Sequence, residues 1–229
     1  MTETQSLFTS RIRTAWGAIL DLLYPQRCGG CGRVGQGVWC DSCRLATRLF
    51  RAADVAQSIS LESAAPLIVV SAAPFAEPLR RGIHEFKYAG VPGLAEPFGA
   101  LMGDAWRMAG LSAELIAPVP LHPRRQRERG FNQSELLGRR VIRETGMAIA
   151  PGALKRTRHT EHQAQLSAAE RKQNVQGAFT ADARTCSGKH VLLIDDVLTT
   201  GMTLTECAAA LRLAGAAGVA ALTLARAGD

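Results

Sequence analysis

Several features are missing from these 229 residues, and each absence closes a class of function. No stretch approaches the roughly 18 to 20 consecutive apolar residues that a membrane-spanning helix requires. The opening MTETQSLFTSRIRTAWGAILDLLYP lacks the order of basic start, apolar middle and small-residue cleavage site that marks an export signal, and Glu3 and Asp21 interrupt it. A cytoplasmic protein is therefore expected. No G-x4-G-K-[ST] occurs, which removes the P-loop nucleoside triphosphatases. Gly201 has no partners at G-x-G-x-x-G spacing behind a strand, so a Rossmann dinucleotide site is not expected there. No internal repeat or low-complexity tract is evident.

What is present reads as a folded chain. Hydrophobic residues make up 47% and charged residues 21% of the sequence, close to an ordinary globular domain. The length suits one good core with a small appendage. The formal charge of +7 is localised. Between His122 and Lys172 stand twelve Lys or Arg against five Glu, and that difference equals the charge of the whole chain. A concentrated basic field points to a polyanionic partner or a phosphorylated ligand. A solvated basic face is the plainer account of the same residues.

Four of the six cysteines fall together, as Cys28-Gly-Gly-Cys31 and Cys40-Asp-Ser-Cys43. Two C-x2-C knuckles in series supply four thiolates able to converge on Zn2+ as a structural site, and the surrounding glycines let the backbone turn tightly about a metal. Disulfides would require an oxidising compartment. A thioredoxin-like redox motif would be expected once, within a βαβ pattern. With all four positions taken by protein, no open position remains for catalysis. Cys186 and Cys207 are expected to be buried or inert thiols.

The apolar periodicity predicts an N-terminal amphipathic helix within residues 1–24, then a four-cysteine ribbon over 25–46, a linker over 47–66 and a main domain over 67–229. Strands are expected at 67–71, 116–119, 190–195 and 219–224. Helices are expected at 78–86, 97–109, from Asn132 to about Glu144, and at 203–214. Asn132 with Glu135 resembles a capping box. Residues 155–173 are polar and basic and are expected to form a mobile loop. Strand, helix and strand at the C-terminal end make a βαβ unit, so the fold class is α/β with a parallel sheet.

The stretch VLLIDDVLTTGMT, residues 191–203, carries the chemistry. An apolar strand ends at paired acids, Asp195 and Asp196, which would stand at the carboxyl edge of the sheet, where ligands bind. Thr199, Thr200, Gly201 and Thr203 then lead into a helix expected to start with the capping box Thr203-x-x-Glu206. A helix N-terminus with free N–H groups, hydroxyl donors and a glycine is suited to phosphate. The upstream carboxylates suit the vicinal hydroxyls of a ribose, and together they describe a ribose 5-phosphate binder. A structural loop would account for Gly201 and Thr203 but leaves both acids unexplained.

VLLIDDVLTTGMT resembles the signature of the type I phosphoribosyltransferases, which bind phosphoribosyl pyrophosphate (PRPP) with Mg2+. The resemblance implies a type I phosphoribosyltransferase-like sheet flanked by helices. It implies that Asp195 and Asp196 hold the ribose in any catalysed transfer, and that PRPP is bound by the run Asp195, Asp196, Val197, Leu198, Thr199, Thr200, Gly201 and Thr203. More narrowly, the order LLYPQRCGGC…CDSC, HEFKYAG, APVPLHPRRQRERGFNQSELL, RTRHTEHQAQLSAAERKQNVQGAF and then the PRPP motif is similar to the ComF family, over roughly residues 20–226. That family implies work in DNA uptake, natural transformation or use of incoming DNA, with single-stranded DNA and the competence machinery as partners. It leaves the acceptor of any transfer undefined. Arg124, Arg125, Arg129, Arg156 and Arg171 are the expected contacts for pyrophosphate or a DNA backbone, with Arg156 to Lys172 as a hood over the site. Phe131 and His122 are candidates to stack on bases. His84, His159 and His162 are expected to be solvent-exposed or hydrogen-bonded rather than catalytic.

Overall fold

The computed structural model describes residues 25–61, 64–157 and 177–228. The expected N-terminal helix, Arg171 and most of the expected hood lie outside the described residues. Short helix α1 (Asp41–Ala46) belongs to the cysteine-rich segment. There follow β1 (Ala56–Leu61), β2 (Ala64–Pro74), α2 (Leu79–Tyr88), a 3-10 turn (Pro92–Leu94), α3 (Ala95–Ala109) and β3 (Leu115–Pro118). Then come α4 (Pro123–Arg129), α5 (Gln133–Thr145), β4 (Ala148–Ile149), β5 (Leu154–Arg156), β6 (Phe179–Ala181) and α6 (Ala183–Cys186). The chain closes with β7 (His190–Leu198), α7 (Met202–Leu213) and β8 (Gly218–Arg226).

One six-stranded sheet, ordered β1-β2-β8-β7-β3-β4, organises the α/β fold, and a separate antiparallel pair joins β5 to β6. Every neighbour pair in the large sheet is parallel except β1 with β2. The two central strands read as apolar runs because helices cover both faces. Alternation along β7 sends Leu192 and Ile194 to a core shared with Ile83 and Phe86 of α2, Phe98 and Met102 of α3, and Leu137 of α5. Val191 and Leu193 point to the other face, against Leu204, Cys207 and Leu211 of α7. The hydroxyls of Ser71 and Thr223 hydrogen-bond at 2.8 Å between β2 and β8, which satisfies two buried polar groups at once.

Three local departures from the expectations have physical reasons. Ala56–Leu61 lies within the stretch read as a linker and forms edge strand β1; its outward residues are small or polar, so its hydrophobic signal is weak. Helix α7 starts at Met202 with Gly201 as its N-cap at φ 76°, two residues before the N-cap that Thr203 implied. The carboxylate of Glu206 instead accepts from the backbone N–H of Gly177 at 2.9 Å. At α5 only half of the expected box forms. Asn132 Oδ1 accepts from Ser134 N at 3.0 Å, while Glu135 turns to Arg139.

Candidate functional site

Strand β7 is held between β8 and β3 as far as Ile194, which is in register with Pro118, and runs on beside β8 alone to Leu198, past the expected end at 195, with Asp195 in register with Thr223. The strand therefore delivers its two acids to the carboxyl edge of the sheet on a rigid backbone. On the β3 side, Val119 N still donates to Ile194 O at 2.9 Å before Pro120 diverts the chain outward. That divergence opens a cleft of about 210 Å3. Its floor is Asp195 to Leu204; Lys87 of α2, Arg125 of α4, Gln133 of α5 and Arg156 of β5 close its walls.

The two acids do different work. Asp196 is buried, and its Oδ2 lies 2.8 Å from the Lys87 ammonium, itself mostly covered. Asp195 accepts from Ser134 Oγ at 3.1 Å and from the Asp196 N–H at 2.9 Å. Burial, reinforced by the charge of Asp196 and partly offset by Lys87, pushes the Asp195 carboxyl up to about 7. Burial opposes the charge on Lys87, yet the Asp196 carboxylate outweighs it and holds the amine above its ordinary value. Burial lowers Arg156, and the nearby Arg125 charge lowers it further.

Downstream of the acids, Thr199 and Thr200 are exposed, and Gly201 makes the left-handed turn that opens α7. The first N–H groups of α7 are thus presented beside hydroxyls, the arrangement that favours an anion. Among the described residues no third carboxylate, imidazole or thiol clusters with Asp195 and Asp196. A divalent cation there would take much of its coordination from ligand oxygens.

Of the expected arginines, Arg125 and Arg156 line this cleft. Arg129 lies in an adjoining cavity and bonds to Gln133. Arg124 faces solvent, paired with Glu128 at 2.9 Å. Lys87, Gln133 and Ser134 were not anticipated. Lys87 sits within HEFKYAG on an amphipathic helix, where a polar residue at helical spacing gives no local sign of the distant acid it meets.

The four cysteine sulfurs converge with no pair more than 4.8 Å apart. Cys28 and Cys43 Sγ are 3.6 Å apart, and so are Cys31 and Cys40 Sγ. A disulfide would place two sulfurs about 2.05 Å apart, whereas a tetrahedral ion with Zn–S near 2.3 Å spaces them about 3.8 Å apart. The geometry fits a four-thiolate zinc site. The Cys40 N–H reaches Cys28 Sγ at 3.3 Å, and Cys28 N bonds to Arg33 O at 2.8 Å, a tight knuckle around the thiols. Burial opposes ionisation of Cys28, but its hydrogen bonds, chiefly from the Cys40 backbone, lower it to about 6. Burial and the crowded sulfurs push Cys43 up. A cation at the centre relieves that crowding. Among the described residues no helix is long and apolar enough to cross a membrane.

A family model described as the phosphoribosyl transferase domain matches residues 134–229, from Ser134 through both acids to the end of the chain. The chain is 37% identical over 163 residues to the DNA utilization protein YhgH of Escherichia coli strain K12, covering 69% of this chain and 71% of that protein. It is 35% identical over 160 residues to competence protein F of Haemophilus influenzae, covering 67% and 70% respectively. Competence protein ComFC of Bacillus subtilis is 33% identical over 113 residues, 49% of this chain and 44% of that one. Among solved structures, an allosteric regulatory enzyme of purine biosynthesis aligns over 61% of this chain and 29% of that chain, with 23% identity and a TM-score of 0.41. An adenine phosphoribosyltransferase from Leishmania tarentolae aligns over 72% and 67%, with 17% identity and a TM-score of 0.36.

Proposed function

Because the chain belongs to the family of the DNA utilization and competence F proteins, we propose that it binds PRPP with Mg2+ in the β7–α7 cleft and serves in the uptake or use of DNA. The observation that carries this reading is the meeting, in one cleft, of an acid pair, a threonine-rich turn at a helix N-terminus and three basic side chains. Asp195 has an edge open to solvent and accepts a ribose hydroxyl. Asp196, held against Lys87, orients the second hydroxyl and keeps the ammonium in the cleft. Thr199, Thr200, Thr203 and the α7 N–H groups receive the 5-phosphate. Arg125, Arg156 and Lys87 face the pyrophosphate.

A transfer in this site requires a nucleophile to attack C1 of the ribose while the bond to the pyrophosphate oxygen breaks and its electron pair leaves with pyrophosphate. Mg2+ bound together with PRPP would offset charge on that leaving group. The fixed cations of the cleft supply the same service without reorganisation. The four-cysteine unit binds Zn2+ as a structural ion, since four protein thiolates leave no position for water. The protein is cytoplasmic in this reading.

A second reading keeps the fold and makes the protein a single-stranded DNA adaptor in which PRPP is sensed and not consumed. The exposed aromatic and basic side chains beside the cleft favour it. The first experiment is calorimetric titration of PRPP and Mg2+ into the wild type, Asp195→Asn and a Thr199→Ala, Thr200→Ala variant. Saturable binding lost in the variants supports the site, and released pyrophosphate would then report the acceptor. No binding by the wild type at millimolar PRPP rejects the phosphoribosyl reading. DNA binding that survives Asp195→Asn with Asp196→Asn selects the adaptor.

A further inference from the structure

The ligand cleft does not end at Lys87. That side chain lines two further cavities, one of about 330 Å3 with Tyr88, Arg125 and Arg129, and one of about 710 Å3 that runs past His84 and Arg81 to Gly30 of the cysteine knuckle. The three form a continuous trough along α2. Arg81, His84 and Tyr88 fall at i, i+3 and i+7, so they share one helix face and span roughly 10 Å of its axis at about 1.5 Å per residue.

The exposed face of α2 is unusual in what it shows to solvent. Tyr88 is 63% exposed, although it is an aromatic residue beside a substantial core. The His84 ring lies 4.8 Å from the Tyr88 ring, centroid to centroid, and the Arg129 guanidinium stands 5.4 Å over the same tyrosine. Folding does not require a ring there, because the core-facing residues of α2 are Leu79, Ile83 and Phe86. The charges are uneven too. Glu77 and Glu128 are taken up by Arg80 and Arg124 at 2.8 and 2.9 Å. Among the described residues no carboxylate pairs with Arg81, Arg125 or Arg129. The trough thus combines uncompensated cations with an exposed stacking platform, whereas an acidic peptide would need only the cations.

We propose that this trough seats a single-stranded nucleic acid, with a base stacked on Tyr88 and backbone phosphates on Arg81, Arg125 and Arg129. Stacking on an aromatic face tolerates every base, and the cations track the backbone, so binding is independent of sequence. Arg81 ties the trough to the cysteine knuckle, since a Cβ at Gly32 would lie 3.2 Å from its guanidinium. The inference rests on the nucleic-acid side of the function proposed above and deepens it; its test does not require PRPP binding, although Lys87 and Arg125 line both the cleft and the trough.

The test is fluorescence anisotropy of a labelled oligodeoxythymidine 12-mer with the full chain at several salt concentrations. Tyr88→Ala is expected to weaken binding about tenfold, equivalent to about 1.4 kcal/mol, with the salt dependence unchanged because no charge is lost. Tyr88→Trp should restore it. Arg81→Ala should weaken binding and reduce the slope of log K against log salt by about 0.7. Arg184→Ala, on α6 at the opposite end of the sheet, should have no effect. A wild type that binds while Tyr88→Ala and Arg81→Ala bind equally well overturns the placement and leaves the adaptor reading intact. Tyr88-dependent capture of a poly-glutamate peptide of equal length would assign the trough to acidic protein instead. A wild type that binds no oligonucleotide overturns this inference and the adaptor reading together, while PRPP titration continues to judge the phosphoribosyl site.

Discussion

Replacing the two neighbouring acids one at a time should move stability in opposite directions. Asp196 and Lys87 lie 2.8 Å apart with side-chain exposures of 5% and 22%, so at an effective dielectric of about 20 their attraction is about 6 kcal/mol. Desolvation offsets much of that, but Asp196→Asn leaves a covered ammonium without its counter-charge, a loss of about 3 kcal/mol. Asp195 behaves otherwise. Its carboxyl is raised to about 7 by burial and by Asp196, against about 3.9 in an unfolded chain, so its charge costs the fold at most about 4 kcal/mol. Asparagine can still accept from Ser134 and from the Asp196 N–H, so Asp195→Asn should stabilise by about 1 to 2 kcal/mol at pH 8. The pH dependence follows from the sign. A raised carboxyl means that the folded state holds its proton longer, so stability falls as pH rises from about 4 to about 7 and then levels. The advantage of Asp195→Asn should be negligible at pH 4, grow through that window and be constant above it. Urea unfolding of both variants and the wild type from pH 4 to 8 measures this directly. Equal destabilisation by the two changes at pH 8 would refute the division of roles between the acids.

Three further outcomes are expected. Chelation of the metal, or Cys43→Ser, should lower the melting temperature and open residues 28–43 to protease, because ligation supplies most of the folding free energy of so small a unit; unchanged melting and resistance would rule out a structural ion. Gly82→Ala should destabilise by about 1 to 3 kcal/mol in urea unfolding, as overpacking does, since its Cβ would lie 2.6 Å from Trp39 and 2.8 Å from Phe98. Saturating PRPP with Mg2+ should raise the oligonucleotide Kd several-fold, because Lys87 and Arg125 line both the cleft and the trough. Linkage requires the oligonucleotide to raise the PRPP Kd by the same factor, so calorimetry showing no reciprocal change would discard the coupling.

The parts of the fold legible in the sequence are those where one physical constraint dominates. Strands β7 and β8 are central and covered on both faces, so they appear as apolar runs, and the abrupt change at Asp195 marks the point where β3 leaves β7, while β7 continues beside β8 to Leu198. The cysteines are legible because two C-x2-C pairs are the spacing that a four-thiolate metal site requires, and their sulfurs converge accordingly. Strand β1 is obscure because it is an edge: Ala56, Ser58 and Ser60 face solvent, and only Gln57 and Ile59 are partly covered. Gly201 was expected as a phosphate-loop residue, but its work as the N-cap of α7 depends on a left-handed turn that Thr203-x-x-Glu206 concealed. Lys87 is obscure for a different reason. Its partner is more than a hundred residues away, and no local pattern encodes a pair made by tertiary packing.

That pair also explains why a cysteine-rich unit accompanies this fold. Trp39, one residue before Cys40, packs edge-on against Phe98 of α3 with ring centroids 5.0 Å apart. The same indole fills the space left by Gly82 on α2, where a Cβ would lie 2.6 Å from the ring, and by Gly30 of the knuckle. Leu94 closes against Gly29 in the same way, 2.9 Å from the position of a Cβ. The knuckle is therefore wedged onto α2 and α3 through glycines that admit no side chain, and α2 carries Lys87 to Asp196. Holding a flexible four-carbon amine in a cleft requires its helix to be fixed at both ends. Phe86, fully buried against Phe98 and Phe131, anchors the end near Lys87. The knuckle anchors the face that would otherwise be open to solvent. Loss of the metal should thus be felt in the ligand cleft, through α2, even though no cysteine lines it.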